Sequence, residues 1–245
     1  MLTRVLTASL LVLLATFSAL AQRTSVKKPA PQKNGNLAIV VDERLSLLRS
    51  DAGLYTMTQD RLKIGEHVTV MEEKEADGVL FFRVATPSAM SGWVQAEALS
   101  GSFRKNEDFR LSNLILSSDG RTQIERSAIF LELFPKSDLR PSVLLLFGDL
   151  LESMAEEISL RASESLVRRE MAAARAPLHS FYLNYPELDP YLKLGVKFLF
   201  NDDTLKLHYN GDSWFELTNN FPNDPLTIEA RERIKSLEKK LKKSQ

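Results

Sequence analysis

The chain has 245 residues, with 32 lysines and arginines against 32 aspartates and glutamates, and no cysteine. The charge balance gives no electrostatic footprint for nucleic acid. The missing thiols exclude disulfides, cysteine nucleophiles and thiolate metal sites, so stability must come from packed cores.

Residues 1–21 predict a cleavable export signal. Met1 to Arg4 form a short n-region with one positive charge. Val5 to Leu20 is an apolar run of about 16 residues, and Ala19-Leu20-Ala21 before Gln22 has the small-x-small pattern of a cleavage site. The run is shorter than the roughly 20 residues of a spanning helix, although an uncleaved anchor is the other reading of it. No later stretch is long and apolar enough to span, so no transmembrane helix is expected after cleavage. Without a cysteine after the run, a lipid-modified N-terminal cysteine is excluded. Cleavage leaves 31 basic residues against 32 acidic. The expected location is the periplasm or cell envelope.

Residues 22–36 are polar, with Pro29, Pro31 and Gly35, and predict a flexible linker. From residue 37 to 100 the pattern changes. Apolar and polar residues alternate in His67-Val68-Thr69-Val70-Met71 and around Phe82-Arg83-Val84. Turn signals interrupt at Asp51-Ala52-Gly53, Lys63-Ile64-Gly65, Ala76-Asp77-Gly78 and Ser91-Gly92. Short strands at this spacing predict a small all-β barrel.

From residue 104 to 245 the period becomes helical. Val143, Phe147, Leu150 and Met154 recur on one face, with Pro141 at the start, where a missing N–H costs nothing. The last segment repeats the grammar: Asp224 as N-cap, Pro225 at the first helical position, then Ala230, Ile234, Leu237 and Leu241 on one stripe. Similar text precedes the two helices, Phe134-Pro135-Lys136-Ser137-Asp138 and Phe221-Pro222-Asn223-Asp224-Pro225. A third echo stands at Tyr185-Pro186. Each predicts a helix end followed by a tight turn. Gly195–Phe200 and Leu205–Tyr209, flanking Asn201-Asp202-Asp203-Thr204, predict a β-hairpin within the helical part.

Two resemblances follow. Residues 37–100 resemble a bacterial SH3-like (Src-homology-3-like) domain. The matching features are Leu45-Ser46-Leu47-Leu48-Arg49-Ser50, then Gly65-Glu66-His67-Val68-Thr69-Val70, then Phe81-Phe82-Arg83-Val84, and a closing Gly92-Trp93-Val94 through Leu99. The chain departs from that pattern at Asp51-Ala52, where the family often has Gly-Pro, and at Phe81, where it often has Trp. The aromatic-Pro turns resemble those of tetratricopeptide hairpins, but they lie 51 and 36 residues apart rather than at a fixed period near 34. An irregular helical bundle is the alternative. The expected fold is therefore multidomain: a small SH3-like barrel and a mainly α-helical, tetratricopeptide-like domain with a β-hairpin.

Candidate chemistry is sparse. His67, His179 and His208 are scattered, with no metal spacing, and Asn201-Asp202-Asp203 does not fill a calcium loop. No phosphate loop or nucleophile elbow is present. No cofactor, metal or catalytic residue is expected. The SH3-like resemblance implies ligand contact through Phe82, Trp93 and Tyr55, with Trp93 equally readable as a packing residue. Arg231–Lys243 carries seven basic and two acidic residues, a solvated face or a contact for an anionic surface. The expected function is that of an exported, non-enzymatic binding or scaffold protein, with peptidoglycan or an envelope protein as partner. An enzyme or enzyme subunit with its site in the helical part is the alternative.

Overall fold

A computed structural model of the protein describes residues 35–242. The export signal expected over residues 1–21, and residues 22–34 of the expected linker, lie outside the described residues. Asn36, expected as the linker's last residue, already begins a strand.

The described residues form a mixed α/β structure, an antiparallel seven-stranded sheet followed by eight α-helices and a two-stranded hairpin. The sheet strands are β1 (Asn36–Val40), β2 (Leu47–Arg49), β3 (Thr58–Arg61), β4 (His67–Ala76), β5 (Val79–Ala85), β6 (Ser91–Gln95) and β7 (Leu99–Ser100). They are ordered β3-β2-β6-β5-β4-β1-β7, and among the described residues no ladder joins β3 to β7.

The alternating stretches fall in β4 and β5 as their pattern requires. Asp77 and Gly78 form the two-residue loop between them, both with positive φ (52° and 72°), the backbone of a tight hairpin turn. Ser91-Gly92 is a correction. It is not a turn but the start of β6, paired with Ala85 and Val84. The turn comes earlier, where the Thr86 N–H donates to the Met90 carbonyl. Gly92 is needed for another reason: a Cβ there would sit 2.6 Å from the Arg49 carbonyl oxygen and 2.9 Å from the Leu48 side chain. Glycine lets β6 pass close to β2.

β1 is apolar on both sides, the pattern of a strand covered on both faces. Ala38 and Val40 join Leu48, Val68, Val70, Phe82, Val84 and Val94 in the sheet's own core. Ile39 and the following Val41 instead pack with Leu111, Ile115, Ile129, Phe130 and Val143 of the helices α1 (Glu107–Leu116), α2 (Gly120–Leu133) and α3 (Arg140–Ser165). Arg126 of α2 adds a buried bond, donating through Nε to the Val41 carbonyl at 2.9 Å. A shared core thus joins the sheet residues up to 100 to the helices that follow 104, and all described residues fall in one compact unit.

The third core surrounds α3. The helix packs against α2, α7 (Asp212–Asn220), α8 (Leu226–Leu241) and β9 (Lys206–Tyr209). It therefore buries more than one stripe: Leu144, Leu151, Ala155, Ile158 and Ala162 are innermost, with Leu150 and Met154 packed at the margin. The hairpin pairs β8 (Phe198–Asn201) with β9 in the expected place. The short helices α4 (Arg168–Ala173), α5 (Leu178–Leu183) and α6 (Asp189–Leu192) lie between α3 and β8.

The aromatic-Pro turns share their geometry. The N–H groups of Ser137, Leu188 and Asp224 donate to the carbonyls of Phe134, Tyr185 and Phe221, three residues back. In two of them the side chain of the last turn residue bonds the N–H two residues on, at the entry to the next helix: Ser137 Oγ accepts from the Leu139 N–H and Asp224 Oδ1 from the Leu226 N–H, while Pro225 rather than Asp224 takes the N-cap position of α8. The stripe of α8 is also observed, with Ala230 and Leu237 buried and Ile234 and Leu241 against the same core. Among the described residues no helix is long and apolar enough to cross a membrane.

Candidate functional site

The three residues expected to meet a ligand have different fates. Phe82 is 3% exposed, inside the sheet core, with the Phe103 ring at 6.0 Å and the Arg104 guanidinium at 5.6 Å. It has no face left for a ligand. Trp93 is half-buried, on the opposite side of its strand from the core residue Val94. Tyr55 is 92% exposed at the tip of the loop between β2 and β3, and Met57 in the same loop is 69% exposed.

A network of bonds fastens that loop. Ser50 N–H donates to the Met57 carbonyl, and Thr56 Oγ1 donates to the carbonyls of Asp51 and Gly53. Leu54 N–H reaches the Asp77 carboxylate, tying the loop to the β4–β5 hairpin. Asp51 accepts from the Ala52 N–H and from Lys74 Nζ at 3.2 Å, and these two bonds hold its carboxyl below the usual range. The same Lys74 ammonium lies 5.8 Å from the centre of the Trp93 ring. Trp93 stands between Arg49 of β2 and Arg83 of β5 as cross-strand neighbours, and Arg83 is paired with Glu72 at 2.7 Å. The result is a half-open aromatic ring roofed by a cation, beside a rigid loop that presents an aromatic and a thioether. Stacking, cation–π and apolar contacts are what such a surface can offer.

Arg49 is unusual within this group. It is 8% exposed; its Nη1 donates to the Thr56 carbonyl, while Nε is buried with no acceptor.

A second cluster lies in the helical part. A cleft of about 310 Å³ between α3 and α8 is lined by Asp149, Glu152, Glu156, Trp214, Arg233 and Lys240, among others. Glu152 accepts from His208 Nδ1 at 2.9 Å, from the Tyr209 N–H at 2.9 Å and from Lys240 Nζ at 2.8 Å. Burial alone would push its carboxyl up, but those bonds outweigh burial and hold it below its ordinary value. Lys240 also reaches Glu156, and Arg233 pairs with Asp149 at 3.0 Å. Seven residues along α3 from Glu152, Ser159 Oγ accepts from the Leu207 N–H at 2.7 Å. Two side chains of α3 thus satisfy the outward N–H groups of β9 that no third strand takes up. Every carboxylate of this cleft is engaged in holding β9 and α8 onto α3.

A third cleft, of about 560 Å³, opens between the chain after β1 and the start of α2. Asp42 there is bound by Arg44, which lowers its carboxyl below the ordinary value, and the Arg126 guanidinium stands 3.7 Å away.

The histidines do not converge. His67 pairs with Glu132 on the surface, His208 is buried on Glu152, and His179 is exposed. Among the described residues no three metal-ligating side chains come together. Asn201 ends β8 and fastens the hairpin turn, its amide oxygen accepting from the Asp203 and Thr204 N–H groups. Sequence reading missed Glu152 because its partners are more than fifty residues away. Arg49 was visible only as part of the strand ending in Arg-Ser.

No family model, curated protein or solved structure matches the chain. Geometry alone therefore carries the functional reading.

Proposed function

We propose that the protein is an exported, non-enzymatic binding or scaffold protein of the cell envelope. Its sheet acts as an SH3-like barrel module that binds peptidoglycan peptide or a protein partner. Its helices serve as a tetratricopeptide-like platform for another envelope protein. The observation that carries this reading is the Trp93 end of the sheet, a half-open ring under Lys74 next to the exposed Tyr55 and Met57. Large aromatic and thioether surfaces left bare on a braced loop are characteristic of recognition sites. The alternative, an enzyme site in the helices, has its best candidate in Glu152. That carboxylate already accepts three bonds from the protein itself.

The basic residues of α8 divide into two groups. Arg233 and Lys240 turn inward to the acids of α3. Arg231, Lys235, Lys239 and Lys242 are exposed, recur at helical spacing and form no ion pair. This row supports a peripheral contact with an anionic surface, secondary to the Trp93 site.

Cosedimentation of the purified protein with isolated sacculi, alongside capture from envelope extracts, tests the proposal. Retention on either bait should fall with Trp93→Ala and Tyr55→Ala while the fold is kept. Retention unaffected by both substitutions moves the binding surface elsewhere and removes the argument.

A further inference from the structure

Five ionisable side chains among the described residues are buried: Asp42, Arg49, Glu107, Arg126 and His208. Four of them have an ionisable partner of the complementary kind within 4.0 Å: Asp42 has Arg44 and Arg126, Glu107 has Arg104 and Arg110, Arg126 has Asp42, and His208 has Glu152. Arg49 has none. A desolvated guanidinium without a counter-ion is unfavourable, and the fold compensates every other buried charge.

The position of Arg49 adds to the argument. It is the cross-strand neighbour of Trp93, and it bonds the carbonyl of Thr56 between the exposed Tyr55 and Met57. The other cations around the ring already have carboxylates, Lys74 with Asp51 and Arg83 with Glu72, while the Asp77 carboxylate accepts from the Leu54 N–H. Of Arg49, Lys74 and Arg83, Arg49 is therefore the one cation without a carboxylate partner.

Resting on the reading of the Trp93 end as a binding site, we infer that Arg49 selects ligands bearing a free carboxylate, which supplies its missing counter-charge when the ligand covers the Trp93 ring. A guanidinium is suited to this because its donors fork to the two oxygens of one carboxylate.

The test uses three peptides: N-acetyl-Ala-Ala-Ala, its C-terminal amide, and N-acetyl-Ala-Glu-Ala amide. The readout is the indole N–H resonance of Trp93, assigned with Trp93→Phe. A peptide with a carboxylate should bind about tenfold or more tightly than the amide, the size of a charge-assisted bond. Whether the first or the third peptide binds tells a chain-end carboxylate from a side-chain one. Arg49→Gln should abolish the preference, and Arg49→Lys should keep part of it. Equal binding of acid and amide, no shift with any peptide at millimolar concentration, or a preference that survives in folded Arg49→Gln overturns the inference. Should Arg49→Gln not fold, the acid-against-amide comparison on the unaltered protein still decides. Loss of sacculus binding with Trp93→Ala but not with Arg49→Gln would leave the binding site standing and refute the carboxylate role.

Discussion

The two tryptophans mark a contrast between the halves of the molecule. Trp214 of α7 is 2% exposed, its ring edge-on to Tyr209 at 5.5 Å and pressed against the α3 backbone at Gly148, where any Cβ would collide with the indole nitrogen. Trp93 is left half open under a single ammonium. Charges follow the rings. Beside Trp214, the Glu152 carboxylate accepts from His208, Lys240 and a backbone amide, whereas beside Trp93 the Arg49 guanidinium has one carbonyl. The helical half matches its buried charges internally, although Trp214 Nε1 and Ser213 Oγ are buried without a hydrogen-bond partner. The sheet end leaves a buried charge without a counter-ion, and an unmatched charge is the stronger reason to bind something else.

The largest test asks whether the two halves are energetically separate. Residues 35–100 alone would expose Ile39 and Val41, and losing their burial costs about 1.5–3 kcal/mol each. That is a large part of the stability of a small domain. The fragment 35–100 should melt well below a fragment 35–135 that keeps α1 and α2, as followed by circular dichroism. Equal melting would show that the shared core contributes little.

The tryptophans themselves come next. Trp214→Ala should destabilise the protein by about 3–5 kcal/mol, the range for emptying an aromatic core site. Trp93→Ala should cost less than half of that in the same denaturant titration. Similar losses would make Trp93 a core residue and erase the contrast.

Glu152→Gln should remove about 1.5–3 kcal/mol at neutral pH, the value of hydrogen bonds to a charged group. Because the folded Glu152 carboxyl lies below its ordinary value of 4.5, its stabilisation is present above that value and is lost as pH falls through the folded pKa. The substituted protein should therefore lose less stability between pH 5 and acid than the parent. An unchanged acid limb would show that Glu152 does not hold α8 and β9.

The smallest effect is expected at the roof of Trp93. Lys74→Met should cost only about 0.5–1 kcal/mol, as for an exposed cation–π contact, and should leave the melting curve nearly in place. A loss as large as that of Trp214→Ala would mean that Lys74 braces the sheet rather than covering a binding surface.

Local chemistry determined much of the architecture. Asp77-Gly78 is a tight turn because two adjacent positive φ angles suit those residues. Each aromatic-Pro pair ends a helix, and Ser137 and Asp224 fold the chain into the next, because their short oxygens reach the N–H two residues on. The hairpin and the buried face of α8 were legible from their periods alone. The tertiary structure decided the rest. Gly92 reads as a turn until the approach of β2 makes glycine necessary inside β6. Phe82 reads as a groove residue until its strand register turns it into the core. Glu152 and Arg49 are an ordinary glutamate and arginine in the sequence. Their opposite states depend on partners brought together across long stretches of chain, or not brought at all, and sequence separation carries no record of such contacts.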